Sequence, residues 1–410
     1  MIERPILPLP GLRQFAADLD PTHMASGLVA FVFAASGPLA ILLSVGAQGG
    51  LSESDLASWI FGSFFINGLI SIAFCLLYRE PLVFLWTIPG AVLVGPALGH
   101  LTFPEVIGAY LVCGAMMLVL GLSGLVRRCM EATPMPIVMA MVAGVFLRFG
   151  TGLVTAVHDD LWIAAPMVLA FIALSALPAL GKRIPPLIGA LIAGVLCVLL
   201  LGKFKSDGAT LFHLASPNLY TPAFSWQAMV ELVVPLAITV LVVQNGQGFA
   251  VLSAAGHKPP INAITASCGA GSLVTACVGS VSTCLTGPVN AILVATGEKS
   301  RHYTAGVLVG VLALGFGLMS PLFTRLLLGT PKVFIAALGG LAMLRVLQTA
   351  FGAAFGSGRF TLGALVTFLV TVADVSIFNI GAAFWGLVFG FAISWLIERR
   401  DFPRKDSTAA

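Results

Sequence analysis

The chain has 410 residues, of which 58% are hydrophobic and only 9% charged, with a formal net charge of +4. Soluble domains carry about 25% charged residues, so a soluble fold is excluded and the chain reads as an all-α polytopic membrane protein. So small a positive charge calls for no nucleic-acid partner, and seven cysteines without a CxxC pair or a Cys/His cluster call for no metal, cofactor or disulfide framework.

The first 25 residues carry Glu3, Arg4, Arg13, Asp18 and Asp20 and lack the apolar core of a cleavable signal, which leaves targeting to the first span. Fourteen apolar segments are then predicted. Segment 1 (25–46) contains Pro38-Leu39-Ala40-Ile41 and is followed by Gln48. Segment 2 is 57–78. Segment 3 (83–98) is short: Pro89-Gly90 interrupts it after Trp86 and Thr87 and before Ala91. Segments 4 to 7 are 104–125, 133–152, 161–180 and 184–202.

Segment 8 (226–245) contains Pro235-Leu236-Ala237-Ile238 and runs into Gln244-Asn245-Gly246-Gln247-Gly248-Phe249, three amides and two glycines in apolar surroundings. Segment 9 is 260–277. Segment 10 (284–296) is the second short one, with Gly287-Pro288 between Thr286 and Asn290. Segments 11 to 14 are 302–323, 331–352, 359–373 and 376–397.

With both termini placed in the cytoplasm, fifteen Lys and Arg fall inside and four outside (Lys203, Lys205, Arg325, Lys332). That asymmetry supports an even number of crossings and a multi-pass protein of a bacterial inner membrane. Arg148 reads as interfacial and Arg345, inside segment 12, as snorkelling or paired. Glu105, Glu231 and Asp374 read as residues of helix starts, and His100 and His158 as outer-surface residues.

Fourteen divides into seven and seven. The Pro-Leu-Ala-Ile echo is offset by 197 residues and the Thr87 and Thr286 motifs by 199. Copies with an odd number of spans enter the membrane in opposite senses, so the pattern is a 7+7 inverted repeat, an architecture of secondary transporters. It sets the two broken segments at equivalent positions, each an extended stretch followed by a half-helix that starts inside the bilayer at a proline. Two half-helix N-termini, partly positive and with free N–H groups, then face the midplane, where an anion fits. The substrate-binding set read from this is Thr87, Pro89, Gly90 and Ala91 on segment 3, Thr286, Gly287 and Asn290 on segment 10, and Gln244, Asn245 and Gln247 on segment 8. Gln48 joins it through the repeat, and Trp86 and Phe249 would hold a ring. The competing reading of the amides is glue between helices.

The stretch Gln244–Pro260, "QNGQGFAVLSAAGHKPP", resembles the segment-8 signature of the benzoate:proton symporter (BenE) family, and Trp86–Val94, "WTIPGAVLV", its segment-3 motif. Gly50–Ile60 and Ile380–Gly390 match the same pattern. The resemblance implies a fold similar to the nucleobase permeases, with a core and a gate bundle. The corresponding division is 1–24 N-terminus, 25–126 core, 127–202 gate, 203–225 extracytoplasmic linker, 226–325 core, 326–397 gate and 398–410 tail. It also implies a homodimer built on gate surfaces, and import of benzoate or a related aromatic carboxylate with protons by alternating access. The family's Gly pair in segment 10 is here Thr286 and Pro288, and no Asp or Glu occupies the middle of segments 1, 3, 8 or 10, so no proton-coupling residue is named. An anion channel on the same fold and a nucleobase permease are the alternatives. An enzyme is not expected, since no nucleophile–base pair lies at a shared depth.

Overall fold

A computed structural model describes residues 2–5, 7–126, 128, 134–177, 185–205, 213–295, 297–375, 377–378 and 382–402. Arg127, Lys182, Arg183, Arg404 and Lys405, and parts of the expected linkers and tail, lie outside the described residues.

All fourteen segments form. Segment 1 is a pair of helices, Pro21–Ala34 and Gly37–Gln48, with Pro38 in the first turn of the second. Segment 2 spans Glu53–Tyr78, opened by a capping box of Ser52 and Asp55. Segments 4 to 7 are Phe103–Ser123, Met135–Asp159, Leu161–Ala176 and Pro186–Leu200. Segment 9 is Ile261–Cys277, and segments 12 to 14 are Lys332–Phe355, Thr361–Ala373 and Ala382–Ile397. Two elements were not expected: a short helix at Leu12–Asp18, and a break that splits segment 11 into His302–Leu318 and Ser320–Leu328. Segment 8 does not stop before the amides. It runs over Trp226–Ala254, turning π-helical at Met229–Val233 and Thr239–Asn245, and so carries the polar stretch through without unpairing its backbone.

The broken segments follow the expected plan. Segment 3 is a strand, β1 (Phe84–Trp86), leading into a half-helix, Ile88–Ala97. Segment 10 is β2 (Thr283–Leu285) leading into a half-helix, Gly287–Val294. The strands pair antiparallel in mid-bundle, with Leu85 opposite Cys284. These central partners are 199 residues apart, the offset of the two sequence motifs. The flanking bonds obey the same symmetry: Thr87 N–H donates to the Ser282 carbonyl (3.1 Å) and Thr286 N–H to that of Val83 (3.0 Å). The strand pairing meets the hydrogen-bonding demand of two extended stretches where no water would do so.

Helix packing repeats the symmetry. Segment 4 packs on 9 as 2 packs on 11, 6 pairs with 7 as 13 pairs with 14, and segment 5 lies along its own counterpart, segment 12. Contacts sort the bundle into two ends. At one, which holds the N-terminus, Arg79 bonds the Pro8 carbonyl and Glu3 caps segment 9 through the N–H groups of Asn262 and Ala263. At the other, Arg325 pairs with Glu53 and Lys203 with Asp160, and Asn218 and Tyr220 clamp the inter-repeat linker to segment 2. We call these the terminal and the distal end.

Candidate functional site

The half-helix starts are built alike from local sequence. Thr87 and Thr286 stand at the N-caps with extended backbone (φ −76° and −78°), as residues before Ile-Pro and Gly-Pro do. Thr87 Oγ1 accepts from Gly90 N–H (3.1 Å) and donates to Thr239 on segment 8 (3.2 Å). Gly90 is needed here: a Cβ would lie 2.3 Å from Thr87 Cγ2 and 3.0 Å from Leu236. Gly287 leaves the place that Gln247 occupies, since a Cβ there would come 2.7 Å from both Cγ and Oε1 of that amide.

A cavity of about 710 Å³ lies where the half-helix N-termini meet segment 8. Ile88 and Pro89 of segment 3 and Pro288, Ala291 and Ile292 of segment 10 reach it. From segment 8 it receives Gln244, Gln247 and Ala250, three residues apart on one face. Its remaining walls are largely apolar: Phe33, Phe146, Phe171, Met139 and Leu341. Met135, Ser175, Pro185 and Ala353 bring it to the terminal end, along half-helix 10. Gln244 is buried, and its Oε1 accepts no bond from the described residues. The residue thus brings a buried acceptor with no partner among the described residues to the cavity wall.

The expected set thus divides. Pro89, Gln244 and Gln247 line the cavity. Asn245 points away: its Oδ1 accepts from Leu285 N–H (2.8 Å) and its Nδ2 meets Cys268 Sγ (3.5 Å), so it pins β2. Asn290 pins the approach to β1, accepting from Val83 N–H (3.1 Å) and donating to the Val83 carbonyl (3.2 Å). Thr87, Gly90, Ala91, Thr286 and Gly287 form the buried turns behind the lining. Trp86 packs on Phe64 (4.8 Å between ring centres), and Phe249 is buried off the cavity wall. Gln48 is not brought to the site. It is exposed at the end of its helix and, among the described residues, bonds only Ser44, one turn back, because segment 1 breaks at Ala35 and Ser36 and carries its last turn to the distal end.

Segment 12 adds what the sequence reading set aside. Arg345 is not withdrawn to a bilayer surface but lines the cavity, solvent-accessible, together with Thr349. Helical position alone signalled a charge within an apolar span; only the packing of segment 12 on segments 5 and 1 shows which way it faces.

Half-helix 10 ends on a second polar group. His23 Nε2 meets the Glu298 carbonyl (3.2 Å) and its Nδ1 meets Asp20 (2.8 Å), while His257 Nε2 and His302 Nδ1 share a hydrogen bond (3.0 Å). In the loop between segments 8 and 9, burial, then His302 and Lys299, push the His257 imidazole down to about 4. It is neutral near pH 7 and serves as a structural contact.

The chain matches the family described as benzoate membrane transport protein (BenE) over residues 17–396. It is 28% identical over 378 residues to the inner membrane protein YdcO of Escherichia coli, covering 91% of this chain and 95% of that one. It is 25% identical over 392 residues to a benzoate membrane transport protein of Acinetobacter baylyi, covering 94% and 98%. Among solved structures it resembles murine Slc26a9, an anion transporter in an inward-facing state, with TM-score 0.63 at 14% identity, covering 96% of this chain and 71% of that one. It also resembles the membrane domain of the cyanobacterial bicarbonate transporter BicA, with TM-score 0.61 at 14% identity, covering 91% and 98%. Those two likenesses concern the fold, an inverted-repeat transporter membrane domain. With a full-length family match on a fourteen-segment inverted repeat that closes around a cavity, the chain belongs to the BenE benzoate membrane transport family.

Proposed function

We propose that this membrane transporter carries benzoate or a related aromatic monocarboxylate together with protons, by alternating access. The observation that carries the reading is the cavity itself: two half-helix N-termini, Gln244, Gln247 and Arg345 supply donors and positive potential, and Phe33, Phe146 and Phe171 supply aromatic walls. The carboxylate sits towards the half-helix starts and Gln247, the ring against the phenylalanines. Segments 1–4 with 8–11 form the core that holds this site, and segments 5–7 with 12–14 the gate that moves against it. A monoanion entering a cell against an inside-negative potential is opposed by about 2.3 kcal/mol per 100 mV, which one co-transported proton cancels. Among the described lining residues there is no Asp, Glu or His, so the test of coupling is the flux. Proteoliposomes should accumulate labelled benzoate when the outside is acid and lose that accumulation when the gradient is collapsed. Uptake indifferent to the gradient removes the proton, and absence of saturable benzoate exchange removes the substrate.

A further inference from the structure

A second, smaller cavity of about 260 Å³ lies on the distal side, along half-helix 3. Its lining is the repeat image of the large cavity's. Val92 and Leu93 of half-helix 3 occupy it where Ala291 and Ile292 of half-helix 10 line the large one, an offset of 199. Ala382 and Ala383 of segment 14 stand where Pro185 and Pro186 of segment 7 stand, an offset of 197. On segment 5 it is lined by Arg148, and Arg148 plus the same 197 is Arg345. The two arginines that lie within apolar spans are therefore one position of the repeat, seen twice.

They differ in what they do. Arg345 faces the open cavity, and its guanidinium has no bond among the described residues. Arg148 is half-buried and donates through Nη2 to the Val92 carbonyl (2.5 Å), with Nε left unpaired. That carbonyl is free because the residue four further on is Pro96, which has no N–H. The equivalent carbonyl on half-helix 10, that of Ala291, likewise receives no bond from the residue four further on, for a different reason. It lies in the last turn, where Ala295 N–H turns to Ile292 instead (3.4 Å). Each half-helix thus offers the arginine of its own vestibule a carbonyl that the residue four further on does not bond. The small vestibule also holds two carboxylates: Glu231, bonded to His100 (2.8 Å), and Asp374. They neutralise the distal side while it is closed. Their repeat positions on the open side are apolar, near Phe33 and at Leu177.

Building on the transport reading above, we propose that Arg148 and Arg345 are an alternating pair of anion-binding gate residues, and that the small cavity is the collapsed distal substrate vestibule. In the state open to the terminal end, Arg345 meets the substrate carboxylate and Arg148 is tied to Val92. In the state open to the distal end, Arg148 is released to the anion and Arg345 ties to the Ala291 carbonyl. Each arginine attracts the carboxylate only on the face that is open, which raises capture and fixes no anion in the closed path.

Two measurements test this. Thr151→Cys and Thr349→Cys place a thiol in the small and the large vestibule and keep both arginines. A membrane-impermeant, negatively charged thiol reagent is applied to each face of vesicles, with the unsubstituted chain labelled in parallel. The two thiols should be modified from opposite faces, and a state locked open to the terminal end should protect only the Thr151→Cys site. In benzoate counterflow, Arg148→Gln and Arg345→Gln should each lower exchange roughly tenfold while the Lys variants keep most of it, since a point charge is what the anion reads. Labelling from one face only, a Thr151→Cys site reached from neither face, or Gln variants that exchange as the parent does each overturn the proposal. Correct labelling in a protein that exchanges no benzoate sinks the substrate reading and leaves the gate pair standing. Benzoate exchange with wrong labelling does the reverse.

Discussion

Gln244 and Asn245 are chain neighbours with opposite duties. The π-helical stretch Thr239–Asn245 turns Gln244 into the cavity and Asn245 into the strand crossing. Gln244→Leu should therefore abolish saturable uptake while leaving thermal stability in detergent close to the parent's. Asn245→Leu should lower stability by about 1–3 kcal/mol, because Leu285 N–H loses its acceptor in a dry interior. Equal melting curves for the two variants would contradict this division. That the amides stand apart in the span was legible in the sequence, from three of them interrupting an apolar run. Which of them faces the cavity was not, since a single residue of π-helix changes the face. His257 carries a separate expectation. Its imidazole, held down to about 4, sits below the ordinary 6.5, so the unfolded chain binds more protons between those values. The stability it contributes is complete above pH 6.5 and is lost as the pH falls towards 4. The melting temperature should drop across that window, and His257→Gln should start lower but drop less.

At the scale of elements, the half-helices depend on tight turns more than on helix propensity. Gly90→Ala would put a Cβ 2.3 Å from Thr87 Cγ2, and turning Thr87 away would forfeit the cap on Gly90 N–H. The helix start would shift and its N–H groups would lose their aim at the cavity. Uptake should fall at least roughly tenfold, or about 1.4 kcal/mol, in a protein that still purifies as a folded species, measured as exchange per reconstituted molecule. Unchanged exchange would separate the half-helix start from substrate binding. The broken segments were readable because Pro after a Thr-containing stretch, twice at one offset, has few structural solutions. Their antiparallel pairing was not, because β1 and β2 contact over three residue pairs about 200 positions apart and no local pattern reports a partner so distant. Gln48 failed for a related reason. An offset carries one position onto another only while both copies keep the same helical phase, and segment 1 breaks at Ser36 where segment 8 continues as π-helix.

For the molecule as a whole, one sequence repeat folded twice in opposite senses yields two unequal cavities, 710 Å³ and 260 Å³, the asymmetry that the proposed alternation would reverse. The charged-residue asymmetry anticipated the sorting of Arg79 and Lys258 to one end and Lys203 and Arg325 to the other. Which end the large cavity opens towards was beyond it, because that depends on how distant helices pack across the bundle, which no local pattern reports. On the proposed division segments 3 and 12 belong to different bundles, and both line the large cavity, through Ile88 and Leu341. If the bundles move against each other around a fixed site, a link between these two must hold one state. Ile88→Cys with Leu341→Cys, bridged by a reducible bifunctional thiol reagent, should stop benzoate exchange, and reduction should restore it. Each single-cysteine variant treated alike should continue to exchange. Full exchange with the bridge complete would mean that transport does not require these bundles to separate, and the path would then have to run elsewhere in the fold.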